Sequence, residues 1–233
     1  PPANRIKSLA CLQETVSCQF GQIELSNFEF KGKPLENVSI LPTDFYQDEG
    51  AHFEYDAGFA KIIKSIYMDY DSDRIAVVYD FSQLTCELKL QLRPFVAVDD
   101  FHSLLKSDTK FCSYFADSEL VISNDKYDNC QLHLYGDKMM FRKDENWWYN
   151  FYYRIESDRG QDCFEDLWTP GYFDYNIEGP ERVVFWASVT NEPPIDRLSD
   201  LDVDVVIDNI ALEQKNILKN TRPNDPYKKT LYL

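Results

Sequence analysis

The chain has 233 residues, of which 44% are hydrophobic, so it can bury a substantial core in one large β-sandwich or in two small domains. Its 24 basic and 40 acidic residues give a formal net charge of −16, which would repel a nucleic acid or an anionic membrane surface from most of the protein. No apolar run approaches the roughly 20 residues that a membrane-spanning helix requires. We therefore expect a soluble protein with neither a nucleic-acid nor a membrane partner.

The start of the chain and its cysteines indicate the cellular context. Residues 1–6 contain no methionine, basic stretch or apolar stretch, and we interpret them as an internal position in a longer polypeptide. The six cysteines form no Cys-x-x-Cys motif, and Cys86 lies in a pattern that faces it inward. This usage favours reduced thiols in a cytoplasmic protein.

Short stretches rich in aromatic and β-branched residues recur along most of the chain, separated by Gly, Asp, Asn and Pro. The clearest is 84–93, where four leucines and Cys86 alternate with charged or polar residues from Glu87 onward. In chain order the predicted strands are 23–30, 52–55, 61–68, 75–81, 84–93, 119–122, 131–135, 138–142, 148–155 and 182–189. Closely spaced strands of this kind predict an all-β, antiparallel sandwich.

The pattern changes after residues 191–195, where paired prolines interrupt regular strand pairing. Apolar residues from Val203 to Leu218 then recur every three or four positions, with aspartates ahead of them and basic residues behind. Pro223 and Pro226 stop this helix. We therefore predict a β-domain at 1–195 and a helical segment at 196–233, with the chain cut before a further structure.

Residues 156–173, ESDRGQDCFEDLWTPGYF, raise the question of a catalytic carboxylate pair. Adjacent Glu165 and Asp166 would point to opposite faces of a strand, or about 100° apart on a helix, and so would not face each other across a sugar. The other interpretation is an ion-paired loop, in which Gly160 adopts a positive φ and Pro170-Gly171 forms a turn before a strand resumes. We favour a structural or interface role over catalysis.

The run Trp147–Tyr153 is unusually aromatic. Strand alternation predicts that one of two sets enters the core, and the sets are Trp148, Asn150 and Tyr152 on one face and Trp147, Tyr149, Phe151 and Tyr153 on the other. The other set would face a partner domain or serve as a stacking platform for sugar rings.

Motifs for metal or nucleotide chemistry are missing from the sequence. The three histidines are far apart and form no metal-ligating motif, and eight glycines form neither a phosphate loop nor a dinucleotide-binding pattern. We therefore expect no cofactor and no metal.

Taken in order, several segments resemble the N-terminal domain of archaeal and bacterial-type glycogen debranching enzymes, the amylo-α-1,6-glucosidase family. They are residues 148–153, Glu156, Arg159-Gly160, 165–167 and Pro170-Gly171-x-Phe173. Further matches are Pro2-x-Asn4-Arg5, 12–14, 25–27, 92–95, 100–104 and 225–227, so the resemblance covers essentially the whole chain.

The resemblance implies a β-supersandwich that precedes an (α/α)6 catalytic barrel, with the predicted helix as the linker between them. It also implies that the catalytic acid and base lie in the barrel, beyond Leu233, and that a glycine-rich segment normally precedes Pro2. The chain departs from the family pattern at Asp99, where an arginine is common, and at Gln161 and Cys163, where an aromatic or longer apolar residue is more familiar.

Our first hypothesis is a non-catalytic domain that buttresses this barrel and contributes to glucan binding in an enzyme that hydrolyses α-1,6 branch points. Its expected partners are its own catalytic domain and glycogen or another branched α-glucan. In this interpretation Arg159 pairs with Glu165 or Asp166, while Trp168 and Tyr172 fill the interdomain contact. The full set of predicted carbohydrate or interdomain contacts is Trp147, Trp148, Arg159, Glu165, Asp166, Trp168 and Tyr172.

Two alternatives stay open at this point. A stand-alone carbohydrate-binding module would expose Trp147 or Trp148 beside a groove, and burial of all four tryptophans would exclude it. An autonomous glycosidase would use Glu165 or Asp166 together with Glu156, and would release glucose from a branched dextrin by itself.

Overall fold

The computed structural model describes residues 5–33, 39–70, 72–127, 130–190 and 197–220. The predicted domain boundary at 191–195, the Pro2-x-Asn4 match, the helix-stopping prolines and the 225–227 match lie outside these residues. The described residues form two helices, α1 (Arg154–Asp158) and α2 (Val203–Asn220), and a short 3₁₀ turn at Leu198–Asp200. Their strands are β1 Ile6–Cys18, β2 Gly21–Glu24, β3 Asp44–Gln47, β4 Ala51–Asp56, β5 Ala60–Met68, β6 Arg74–Leu84, β7 Leu88–Asp100, β8 Phe111–Ala116, β9 Glu119–Asn124, β10 Gln131–Gly136, β11 Met140–Tyr152, β12 Phe164–Ile177 and β13 Arg182–Thr190.

The strands form two antiparallel sheets, which confirms the predicted β-sandwich class. One sheet has five strands in the order β11-β12-β7-β1-β2, and the other has eight in the order β3-β4-β5-β6-β13-β10-β9-β8. The main core fills the space between them. On β6, for example, Val77, Tyr79 and Phe81 face this core, while Ala76 and Val78 face the opposite side of the sheet.

The predicted helix is present as α2, and it covers the outer face of the eight-stranded sheet. Val203, Val206 and Ile210 pack against a cluster that includes Val184 and Trp186 of β13. The spacing of three and four residues places these side chains on one helical face. The apolar face of α2 is therefore buried against the sheet.

The predicted strand at 84–93 is wrong in its extent. Leu84 ends β6 in the eight-stranded sheet, and Leu88 begins β7 in the five-stranded sheet. The alternation continues through the connection because both strands direct alternate side chains into the same interlayer core. Cys86, in the turn between them, still packs against that core.

The predicted turn at Pro170-Gly171 is also wrong, because both residues lie inside β12. The pairing of β12 with β7 shifts register between Trp168 and Phe173, so these residues occupy a bulge. A bulge tolerates a proline, which has no N–H to donate to the ladder. Gly171 has a φ of 144°, and an added Cβ would lie 2.1 Å from the carbonyl oxygen of Arg142.

Gly171→Ala should therefore destabilise the fold by about 2–4 kcal/mol, because the methyl group cannot be placed without moving the backbone of β11. Urea denaturation measures this loss. Gly179→Ala is the matched control, since an added Cβ at Gly179 meets nothing within 4 Å. Its free energy of unfolding should change by about 0.5 kcal/mol or less. Equal stability of the two variants would contradict the close approach of β11 to Gly171.

Candidate functional site

The residues singled out from the sequence lie mainly on β11, β12 and α1, at one edge of the five-stranded sheet. Trp147 of β11 is opposite Trp168 of β12, and Phe151 is opposite Glu165. Because β11 is the outermost strand, its side chains border solvent as well as the sheet. This edge is the candidate site.

A bulge in β11 breaks the alternation that the sequence predicted for the aromatic run. The register with β12 shifts between Trp148 and Phe151, and Asn150 has a φ of 62°. Trp148 and Phe151 consequently stack on one face, while Trp147 and Trp148 are both half-buried, Phe151 is buried and Tyr149 is 55% exposed. Neither of the two predicted alternating sets forms the core.

The segment that follows β2 covers part of the β11 edge. The N–H of Tyr152 donates to the carbonyl of Glu29 over 2.8 Å, and the N–H of Lys31 donates to the carbonyl of Asn150 over 3.0 Å. Phe30 forms an isolated bridge to Phe151. Within the described residues, this coverage ends at the bulge, and the preceding residues of β11 border a groove.

A groove of about 440 Å³ lies where the coverage stops. Trp148 is held at its base by ring contacts to Phe95, with centroids 4.9 Å apart, and to Phe30, at 6.2 Å. The lining residues include two lysines and no carboxylate, although the chain carries a net charge of −16. The groove is lined by Phe30, Lys31, Lys33, Trp147, Trp148, Tyr149 and Asn150.

Glu165 is fully buried beneath this edge and accepts three hydrogen bonds. Its donors are Lys7 Nζ at 2.5 Å, the Tyr153 hydroxyl at 2.5 Å and the N–H of Leu105 at 2.9 Å. Burial, together with this hydrogen bond to the Glu165 carboxylate, raises the pKa of Tyr153 well above its ordinary value. Glu165 thus ties β1, β12 and the 101–110 connection together and has no exposed face for a substrate.

The other charged residues of the stretch are engaged separately. Arg159 pairs with Glu156, three residues earlier, at 3.2 Å, so the predicted pairing of Arg159 with Glu165 or Asp166 is wrong. The short helix α1 explains this choice, since residues three apart are neighbours on a helix. Asp166 accepts the N–H of Asn150 over 2.9 Å. Gly160 has a φ of 69°, which confirms its predicted positive φ.

The remaining two predicted contacts lie away from the groove. Trp168 is only 6% exposed and stacks on Phe111, with ring centroids 4.8 Å apart and an interplanar angle of 8°. It belongs to the main core and offers no face to a sugar or a neighbouring domain. Tyr172 is half-buried, with the Arg93 guanidinium 5.3 Å from its ring centroid.

Sequence reasoning missed Phe30, Lys31 and Lys33 as groove residues. They lie about 115 residues before Trp147 in the chain, and no local pattern links the two segments. Tyr149 and Asn150 belonged to the aromatic run, but their exposure depends on the bulge. A positive φ at an asparagine is more common than at most residues, which was the available signal.

Asp99, at the departure from the family pattern, has a structural role. It is buried on β7, pairs with Lys126 Nζ at 2.6 Å and accepts the hydroxyl of Tyr127 at 3.3 Å. The hydrogen bond to Asp99 raises the pKa of Lys126. The negative charge at this position is therefore neutralised within the domain.

Within the described ranges, no group of three or more histidine, cysteine or acidic residues is placed to hold a metal ion. His52 lies between Asp48, at 2.6 Å, and Ser65, at 2.8 Å, and His133 contacts Glu119 at 2.9 Å. None of the helices in the part of the chain that the structure describes is long and apolar enough to cross a membrane.

Comparison with known proteins adds the following findings. Residues 1–184 match the family described as glycogen debranching enzyme N terminal. No curated protein matches the sequence. Among solved structures, a bacterial glucoamylase complexed with acarbose shows 11% identity and a TM-score of 0.45, covering 89% of this chain and 32% of that one. A kojibiose phosphorylase from the human microbiome shows 11% identity and a TM-score of 0.40, covering 94% of this chain and 26% of that one. The chain thus spans about a third or less of either protein.

Removing Glu165 should be costly, because it leaves Lys7, the Tyr153 hydroxyl and the N–H of Leu105 without their acceptor. We expect Glu165→Ala to lower the free energy of unfolding by about 3 kcal/mol or more. Glu156→Ala removes a carboxylate from an exposed pair and should cost about 0.5 kcal/mol. Urea or thermal denaturation of the two variants measures the difference. A loss at Glu165 as small as at Glu156 would show that the buried network does not support the fold.

Proposed function

Because the chain belongs to the family of glycogen debranching enzyme N-terminal domains, we propose that it is the non-catalytic N-terminal domain of a glycoside hydrolase acting at α-1,6-glucosidic branch points. Its role in this proposal is to buttress a catalytic barrel that follows it. The catalytic barrel of its own polypeptide is then its principal partner.

The burial and hydrogen bonding of Glu165 are the observations that support a non-catalytic domain. A glycosidase needs two carboxyl groups that face one another across the glycosidic bond, about 5–9.5 Å apart. Glu165 is fully buried with three donors, Asp166 caps the N–H of Asn150, and Glu156 pairs with Arg159. The stretch that looked like an acid/base centre is therefore used for structure.

Helix α2 supports the buttress role. Arg182 holds its first turn through two hydrogen bonds to Asp204, at 2.9 and 2.7 Å, and Gln214 near its other end donates to the carbonyl of Asp48 at 3.3 Å. Val205 and Leu212 lie seven residues apart on the side away from the sheet, and each is 54% exposed. A helix fixed along its length with apolar residues on its outer side suits a contact with another domain.

The cytoplasmic location expected from the sequence is part of the proposal. All six cysteines are free thiols in the structure. Burial, with the neighbouring Glu14 and Glu165 carboxylates adding to it, raises the pKa of Cys11 to about 12, so this thiol stays protonated at physiological pH. Unpaired cysteines are typical of a reducing compartment.

A second candidate function, a carbohydrate-binding module, is favoured by the groove. Trp168 and Trp186 are buried, but Trp147 and Trp148 are half-buried and line an open surface. Binding of a glucan by this domain is compatible with the buttress role.

The catalytic assignment is tested with a branched limit dextrin. The purified chain should release no glucose, while the full polypeptide that contains the barrel should do so. Glucose release by the chain alone, abolished by Glu156→Gln, would contradict the non-catalytic assignment. A full polypeptide that cleaves only α-1,4 bonds would contradict the proposed bond specificity.

The buttress role is tested by placing charge on the outer side of α2. Val205→Glu with Leu212→Glu should weaken binding of the separately expressed barrel by at least about tenfold, because two desolvated apolar contacts are replaced by carboxylates. Phe20→Glu is the control, since Phe20 is 68% exposed in the β1–β2 turn. Isothermal titration calorimetry measures both affinities. Equal affinities would place the barrel contact elsewhere on the domain.

A further inference from the structure

The groove beside the β11 bulge plays no part in the contact proposed for α2. We propose that it is a binding site for a linear α-glucan chain, held by stacking on the Trp147–Tyr149 rings and by hydrogen bonds to the side chains of Asn150 and Lys33. The aromatic and amide lining of the groove supports a carbohydrate ligand, and the identity of that ligand as an α-glucan rests on the proposed function.

The aromatic lining is rigid before any ligand arrives. Trp148 contacts Phe95 and Phe30, and it also stacks on Phe151 with ring centroids 6.4 Å apart and an interplanar angle of 22°. Trp147 contacts Phe111 at 5.8 Å. Rings fixed in this way lose little conformational entropy when a ligand stacks on them. Pyranose rings present flat C–H faces, and aromatic side chains with one apolar body and one wet edge match such faces.

Asn150 supplies a polar group that the fold itself does not use. Its backbone N–H donates to Asp166, and its carbonyl accepts from Lys31. Its exposed side-chain amide has no hydrogen-bond partner among the residues that the structure describes. Both backbone bonds hold the residue at its φ of 62°, which asparagine adopts more readily than most residues.

The charge of the lining disfavours a cationic ligand and suits one rich in hydroxyl groups that accept hydrogen bonds. Among the lining residues that the structure describes, Lys31 and Lys33 have no carboxylate beside them, and Lys31 Nζ already lies 4.7 Å from the Phe164 ring centroid. A cationic ligand would find no counter-charge there. A polyanion would meet the field of a chain with a net charge of −16. Sugar hydroxyls accept from an ammonium group and exchange hydrogen bonds with an amide in both directions.

The first test is calorimetric titration of the purified chain with maltoheptaose. Asn150→Gly removes the amide and keeps a residue that adopts positive φ without strain, so the fold should keep or gain stability. Tyr149→Ala removes an exposed ring of the groove. Each variant should weaken binding by about fivefold or more, in line with the loss of one hydrogen bond or one stacking surface. Thermal denaturation verifies that both variants are folded.

Tyr114→Ala is the matched control, because Tyr114 is 51% exposed on β8, in the other sheet. Its affinity for maltoheptaose should equal that of the unchanged chain. The proposal is overturned if maltoheptaose shows no saturable binding at millimolar concentration, or if Tyr114→Ala weakens binding as much as Tyr149→Ala. Equal affinity for cellohexaose would overturn the preference for α-linkages, and binding of heparin without maltoheptaose would replace the neutral ligand by an anionic one.

The outcomes separate this proposal from the proposed function. If the chain binds no maltoheptaose and releases no glucose, the groove proposal is wrong and the buttress role is unaffected. If the chain binds maltoheptaose through Asn150 and Tyr149 but the full polypeptide does not cleave α-1,6 bonds, the groove proposal stands and the proposed enzymatic activity is wrong.

Discussion

The irregular ladder between β11 and β12 determines where the candidate site residues of β11 point. From Lys143 to Asn146, β11 advances three positions while β12 advances two, and the same happens from Trp148 to Phe151. Each extra residue disturbs the alternation of side chains between the two faces of the sheet. Trp147 and Trp148 lie between the two bulges, where the ladder is regular, so their rings point to opposite faces of the sheet. Trp147 contacts Phe111, whereas Trp148 stacks on Phe151, which the second bulge brings to the same face as Trp148. Both tryptophan rings are half-buried at the edge of the sheet, and the groove opens beside Asn150 in the second bulge.

Two buried carboxylates hold β1 in its place within the sandwich. Glu14 points between the sheets, where it pairs with Lys64 of β5 and accepts the Tyr79 hydroxyl of β6 at 2.7 Å. Lys7, near the start of the same strand, pairs with Glu165 of β12. Each pair is costly to desolvate, and losing either partner leaves an uncompensated charge. A shifted register of β1 would separate these partners and is therefore disfavoured.

The sequence was most informative for segments in which a single hydrophobic periodicity, helical or strand-like, describes the buried face. The three- and four-residue spacing from Val203 onward predicted α2 because the residues at that spacing form its apolar sheet-facing side, and Asp202 caps its start by accepting the N–H of Asp204 at 2.9 Å. At Leu84–Leu88 the same kind of reasoning found the right inward face and missed the change of sheet. A pattern of alternate apolar residues reports which side is buried, but it does not report which strand comes next.

The sequence was uninformative where distant segments meet. Glu165 and Lys7 are 158 residues apart, and nothing near Glu165 indicates that its partner is Lys7 rather than Arg159. Pro170 and Gly171 are residue types that commonly form turns, but here they lie in a bulge of β12 because the backbone of β11 lies close to Gly171. The candidate site was therefore predictable as a region, since the aromatic run drew attention to β11, but not as a set of contacts.

The two proposed surfaces lie on different layers of the sandwich. α2 covers the outer face of the eight-stranded sheet, whereas the groove lies at the β11 edge of the five-stranded sheet. A barrel docked on α2 would leave Tyr149 and Asn150 accessible, because the whole interlayer core separates the two surfaces. Glucan held in the groove would then raise the local concentration of branch points near a tethered catalytic site without competing for it. In that arrangement the buttress and the binding site are complementary uses of one domain, each served by a different sheet.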